Sequence, residues 1–144
     1  MYKKISHITI VVRNLDETMK AYETILRLTP GREGFIKTMP DCRLAMLPFE
    51  GARIEFLEPD LTVDSPFARF LKEHGEGVFS YCIFVEDFDR EIEVLKEKGI
   101  SLEEATQVDL FPEYPFRIAW VLPEEGLGVR VELVDYEALP PFEQ

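Results

Sequence analysis

The feature that most constrains this chain is that it is written twice. HITIVVRNLDETMKAY from His7 lies over SYCIFVEDFDREIEVL from Ser80 at an offset of 73 residues (7 to 80). Ile10 then meets Ile83, Val12 meets Val85, Asp16 meets Asp89 and Met19 meets Ile92. Arg43-Leu-Ala-Met lies over Arg117-Ile-Ala-Trp at an offset of 74 (43 to 117). ARIEFLEPD from Ala52 lies over VRVELVDYE from Val129, pairing Arg53 with Arg130 and Glu55 with Glu132, at an offset of 77 (55 to 132). Three ordered matches at nearly one spacing require a duplicated module with small differences in loop length.

Each copy opens with an apolar strand followed by a helix. Asn14 is placed to cap the first helix, with Glu17 three residues on, and Leu15, Met19, Tyr22 and Leu26 recur at helical spacing. In the second copy Asp87 takes the cap position ahead of Phe88, Ile92 and Leu95. Three extended stretches follow each helix, at 32–38, 42–47 and 52–58, and again at 102–107, 116–122 and 128–135. The organisation expected is a first βαβββ module over 1–59, a connector over 60–77, a second module over 78–136 and a loose, proline-interrupted tail over 137–144. Within the connector, Ser65, Pro66 and Gly75 bracket one short helix. The fold class is α+β, with the two tandem modules forming a curved mixed sheet around a cleft.

Strand side chains alternate between faces. Ile8, Ile10 and Val12 make a row suited to packing under a helix, as do Ile54 and Phe56, so His7, Thr9, Arg53 and Glu55 look the other way. By the repeat, Ser80, Cys82, Arg130 and Glu132 share that second face. The cleft would then be lined by His7, Glu55, Ser80 and Glu132. Cys82 reads as a packed core thiol, Cys42 has no evident partner, and His74 sits in a Gly-bounded loop as a surface histidine. Trp120 and Phe116 read as core, and Glu103-Glu104 and Glu124-Glu125 as solvated loops.

Charge narrows the partners. The 16 Lys and Arg against 28 Asp and Glu leave a formal charge of −12 with no basic stripe, which argues against nucleic acid. No run of 18 apolar residues is present to cross a membrane, and the opening MYKKISHITIVV reads as a strand with no small-residue cleavage site. Two cysteines fit neither a zinc spacing nor a disulfide framework, so a cytoplasmic protein with reduced thiols is expected.

SHITIVVRNLDETMKAYETIL, IEFLEPDLTVDSPFARFLKEHGEG and GVRVELVD together resemble the vicinal oxygen chelate superfamily of glyoxalase I, extradiol dioxygenases and bleomycin-resistance proteins, and within it methylmalonyl-CoA epimerases. The SPFARFL helix followed by HGEG is the most specific piece. The resemblance implies two paired βαβββ modules with metal ligands from the first and fourth strands of each, which places them at His7, Glu55 and Glu132. The third ligand of the family, a His, is replaced here by Ser80 in GEGVFSYCIF, and Phe79 replaces its His neighbour. Arg43 falls where the epimerases place a proton-handling carboxylate. In the family a divalent ion binds two neighbouring substrate oxygens and stabilises an enediolate as a proton leaves carbon, and Glu132 is the candidate to move that proton. With Ser80 in the set, the three remaining donors admit either a divalent ion or a metal-free buried polar network.

Four arginines complicate the site. With a three-residue loop after Leu47, Arg43 lies opposite Glu55; with a four-residue loop after Leu122, Arg117 lies opposite Glu132. Arg53 and Arg130 have the same facing parity. Arg43, Arg53, Arg117 and Arg130 are therefore candidates to bind an anionic substrate group, or else form an Arg–Glu network that ties the strands together. The function expected is a glyoxalase/epimerase-like lyase or isomerase performing metal-assisted proton transfer on a small carboxylate or thioester. The alternative is a metal-free small-molecule binding protein of the bleomycin-resistance type. The family commonly forms dimers, which makes a homodimer the expected assembly.

Overall fold

A computed structural model describes residues 1–31 and 34–144. The elements run in the order β1 (Tyr2–Val11), α1 (Leu15–Leu26), β2 (Phe35–Thr38), β3 (Cys42–Phe49), β4 (Ala52–Pro59), α2 (Pro66–His74), β5 (Gly77–Val85), α3 (Phe88–Glu97), β6 (Leu102–Gln107), β7 (Phe116–Val121) and β8 (Arg130–Asp135). The class is α+β, with eight strands in a mixed sheet and three helices, as the repeat requires. No described helix is long and apolar enough to cross a membrane. The start of the extended stretch at 32–38 lies outside the described residues; from Phe35 onward it is β2.

The chain folds as two compact units, His7–Phe79 and Met1–Ser6 with Ser80–Gln144. In the first unit the strand order is β2-β3-β4-β1, with β1 parallel to β4 and the other pairs antiparallel. Asn14 Oδ1 accepts the Glu17 backbone N–H at 3.0 Å, which starts α1 where the spacing puts it. Helix α1 lays Leu15, Met19 and Tyr22 against Ile10, Val12, Ala45, Leu47, Ile54 and Phe56, with the Tyr22 and Phe56 rings 4.6 Å apart. Helix α2 begins at Ser65, whose hydroxyl accepts the Ala68 N–H at 3.1 Å, and Phe67 and Phe70 close on Phe79.

In the second unit the order β5-β8-β7-β6 repeats the same plan, with β5 parallel to β8. Helix α3 covers Val85, Ala119, Val121, Val131 and Leu133 with Phe88 and Ile92. Asp87 departs from expectation. It takes a left-handed backbone (φ 53°), and its side chain makes no capping hydrogen bond. The N-terminal residues of β1 belong here because the Met1 amine donates to the Glu86 carbonyl (2.8 Å) and Lys3 pairs with Glu86 (2.8 Å). The Tyr2 hydroxyl donates to Glu91 on α3; partial burial and that carboxylate push the phenol up to about 12. The tail is not loose. Leu139 and Pro140 are buried, Phe142 stands edge-on to Phe111, and the Gln144 side chain donates to the Leu139 carbonyl at 2.8 Å. Apolar burial outweighs the proline interruptions there.

The strand registers verify the duplication residue by residue. His7 lies beside Arg53 and Thr9 beside Glu55 in the first unit; Ser80 lies beside Arg130 and Cys82 beside Glu132 in the second. Met46 is opposite Glu55 where Trp120 is opposite Glu132. The offsets of 73, 74 and 77 read from the sequence are thus the offsets of structurally equivalent positions.

Candidate functional site

The face of each unit turned away from its helix carries the polar residues. In the first unit Thr9 Oγ1 donates to Glu55 Oε1 at 2.9 Å, and His7 Nε2 stands 4.0 Å from the same oxygen. All three residues are at least partly buried, with Glu55 only 9% exposed. A carboxylate withdrawn from water that far needs donors or a cation, and Thr9 supplies one hydrogen bond. The structure therefore brings His7 and Glu55 together, and adds Thr9. Sequence reasoning gave Thr9 the correct face but no role; its place directly beside Glu55 in the parallel ladder was the missing information.

Cys42 shares this face and is buried. Burial pushes its thiol well above the usual range, and the carboxylates of Asp41 and Glu55 push it further, so it stays protonated at neutral pH. An open pocket of about 570 Å³ lies in this unit beyond the C-terminal ends of β1 and β4, and Arg13, Thr38, Cys42, Arg43, Asp60 and Leu71 are among the residues lining it.

In the second unit the equivalent face carries Ser80, Cys82, Arg130 and Glu132. Ser80 is fully buried, and its hydroxyl makes no hydrogen bond with any described residue. Cys82 is also fully buried, and its sulfur lies within 4.8 Å of a Glu132 carboxylate oxygen. Neither cysteine is in a disulfide. Arg130 donates to Glu103 on β6 at 3.1 Å and stacks 5.6 Å from the Trp120 ring. Glu103 and Glu104 are accordingly strand residues, the second paired with Lys96, and not solvated loop. Glu125 is engaged as well, accepting the Ser101 N–H at 2.9 Å. His74 is exposed beside Glu73, as expected of a surface histidine.

Arg43 and Arg117 do not lie opposite Glu55 and Glu132. Arg43 is opposite Glu58 and donates to Asp16 at the start of α1 (3.0 and 3.2 Å). Arg117 sits one step past the Ile118–Val134 pair, and its Nε and Nη2 donate to Asp135 at 3.1 and 2.7 Å. It also bonds Asp89 at the start of α3, and its guanidinium lies 5.0 Å over the Phe88 ring. The cause is hairpin register. Phe49 pairs with Ala52, so the turn between β3 and β4 is the two residues Glu50-Gly51, with Gly51 at φ 81°, and Pro48 remains in the strand. That moves the register three residues from the expected one, and an odd shift carries every side chain to the opposite face. The β7–β8 connection is longer than expected, running through a 3-10 turn at Pro123–Glu125 with Gly126 and Gly128 at positive φ, and shifts by the same three residues. Asp16 and Asp89 are partners that sequence reasoning missed, although they recur in the repeat as Arg43 and Arg117 do.

Known proteins place this architecture. A methylmalonyl-CoA epimerase from Mycobacterium tuberculosis superimposes with a TM-score of 0.77 at 25% identity, covering 98% of this chain and 91% of that one. A Streptomyces coelicolor methylmalonyl-CoA epimerase variant in complex with 2-nitronate-propionyl-CoA gives 0.76 at 25% identity, covering 98% of this chain and all of the other. In sequence, the uncharacterized protein YqjC of Bacillus subtilis is 26% identical over 135 residues, 92% of this chain and 91% of that protein. Residues 6–110 match the family model of the glyoxalase/bleomycin resistance protein/dioxygenase superfamily, and the chain belongs to that superfamily.

Proposed function

We propose that this protein is a glyoxalase/epimerase-like enzyme that catalyses metal-assisted proton transfer on a small carboxylate or thioester, with His7, Glu55 and Glu132 as ligands of a divalent ion. The observation that carries this reading is the grouping of His7, Thr9 and Glu55 on one buried face of the first unit. The donor types suit the ion. His7 Nε2 and Glu55 Oε1 are 4.0 Å apart, close enough to serve one cation, and an imidazole with two carboxylates is a common catalytic donor set. Ser80 Oγ, buried without a hydrogen-bond partner among the described residues where the family has its third ligand, is also a polar atom in need of company. When bound, a divalent ion supplies Lewis-acid stabilisation of negative charge on a substrate oxygen.

The chain's own residues do the rest. Thr9 fixes the Glu55 carboxylate by its hydrogen bond, which orients that ligand as an outer partner does in other metal sites. Glu132 is the carboxylate that takes the proton from the carbon acid. Between the two substrate classes, the thioester draws support from the likeness to the epimerases, one of which is described in complex with 2-nitronate-propionyl-CoA.

Metal content per chain tests the reading, measured by elemental analysis on protein purified without a tag or chelator, beside a metal-reconstituted sample. Near-stoichiometric metal that is lost in Glu55→Ala and Glu132→Ala is the expected result. No metal in either wild-type sample overturns it. A second reading, metal-free binding of an anionic small molecule, then takes its place. It is favoured by the first unit's pocket, where Arg13 and Arg43 offer guanidinium groups beside apolar walls.

A further inference from the structure

We propose that Cys82, and not Ser80, is the second unit's partner to Glu132 in holding the metal, which turns a site of nitrogen and oxygen donors into one with a thiolate. The inference rests on the metal reading above and concerns which residue of β5 completes it.

The argument starts from the repeat. Position for position, the first unit's His7, Thr9 and Glu55 become Ser80, Cys82 and Glu132 in the second. In the first unit the imidazole is the strong donor, and Thr9 is only a hydrogen-bonding support for the carboxylate. In the second unit the two roles have changed hands. Ser80, at the imidazole position, has lost the strong donor, while Cys82, at the support position, has gained one. A serine hydroxyl is a weak neutral ligand; a cysteine sulfur binds zinc-like ions strongly as the thiolate.

The surroundings of Cys82 agree. It lies beside Glu132 in the ladder, its sulfur is within 4.8 Å of the carboxylate, and it is fully buried. Ser80, two residues before it on the same face, keeps a buried hydroxyl with no hydrogen-bond partner among the described residues. A plain apolar core has no use for the Ser80 hydroxyl, since a buried polar atom left without a partner is destabilising. Cys82 is also a member of the core cluster in which Phe84, Ile118 and Val134 continue the face, so it stands where the apolar core meets the polar end. A cation held by Cys82 and Glu132 gives the polar end of that face its purpose. On binding, the Cys82 thiol loses its proton to solvent and the sulfur lone pair forms the bond to the metal, so charge and atoms balance without any further reactant.

The test uses Co²⁺ as the probe, added to the full reduced chain. Wild type is expected to take up Co²⁺ with an intense near-ultraviolet band from thiolate-to-cobalt charge transfer. Cys82→Thr copies the arrangement that the first unit already tolerates at Thr9, and Cys82→Ser is the smaller second choice. Either variant should lose the band and weaken Co²⁺ binding by about a hundredfold or more, since losing even an outer partner costs roughly ten- to a hundredfold. Cys42→Ala should keep both. Co²⁺ bound by wild type without the band, or a band that survives in Cys82→Thr and Cys82→Ser, overturns the role of Cys82 and leaves the His7, Glu55 and Glu132 reading standing. No Co²⁺ uptake by wild type overturns both.

Discussion

Arg43 and Arg117 occupy the same position in the two copies, yet their loss should have very different consequences. Arg117 directs Nε and Nη2 at Asp135, whose side chain is only 7% exposed, while Arg43 directs its guanidinium at Asp16, which is 74% exposed. Replacing Arg117 by Met keeps the aliphatic stem over Phe88 and leaves the Asp135 carboxylate buried without its cation. A hydrogen bond to a charged group contributes about 1.5–3 kcal/mol, and a stranded buried charge costs more. Arg117 is itself 45% exposed, so water entering the vacated space solvates part of the carboxylate. The expected loss is therefore about 2 kcal/mol, or roughly 6 °C in Tm for a chain of this length. Arg43→Met should be near silent, because exposed, screened pairs contribute little. Thermal and urea unfolding followed by circular dichroism measure both. If the two units unfold in separate transitions, the loss should fall on the one that contains β7 and β8. Asp135→Asn added to Arg117→Met should recover much of the loss by removing the stranded charge. Equal losses for Arg43→Met and Arg117→Met, or no recovery in the double variant, would refute the burial argument.

Two further outcomes follow from the same geometry. Burial raises the Cys42 thiol above its unfolded value of about 8.5, so folded protein keeps a proton that unfolded protein releases. The stability this group contributes is therefore fully present below about pH 8.5 and declines above it, by at most about 1.4 kcal/mol per pH unit. Urea midpoints between neutral and alkaline pH should fall less steeply in Cys42→Ala, and identical slopes would contradict the assignment. Ser80→His restores an imidazole at the position equivalent to His7 and should tighten divalent-ion uptake, read by metal titration; unchanged uptake would mean that residue 80 does not reach the ion.

The parts of the fold that were legible are those carried by local, repeated signals. Asn14 and Ser65 cap where their spacing says, because a cap is decided within four residues. The face that holds His7, Thr9 and Glu55 was legible because the period of a strand is two and Ile10, Val12, Ile54 and Phe56 mark the helix side without ambiguity. What sequence could not decide was hairpin register. Loop lengths at Glu50-Gly51 and 122–129 depend on which residue takes a positive φ, and three residues of error were enough to put Arg43 and Arg117 on the wrong face. The left-handed Asp87 was likewise hidden, since an aspartate before a helix ordinarily reads as a side-chain cap. The anchoring of the tail through Leu139 and Pro140 was masked by its prolines, whose local meaning is interruption but one of which found a place to pack.

Comparing the two copies inside one molecule separates what the fold needs from what the site needs. On the helix side the copies agree in chemistry: Asp16 with Arg43 matches Asp89 with Arg117, and aliphatic and aromatic residues fill both cores. On the other side the carboxylates Glu55 and Glu132 and the arginines Arg53 and Arg130 recur, while His7 against Ser80, Thr9 against Cys82 and Met46 against Trp120 do not. A duplicated scaffold that needed only packing there would have no cause to hold a carboxylate as buried as Glu55, given the cost of withdrawing it from water. Nor would it exchange imidazole for hydroxyl and hydroxyl for thiol around that retained acid. Polar donors that differ between the copies, beside acids present in both, are what the proposed ligand-binding role predicts for that side of each unit.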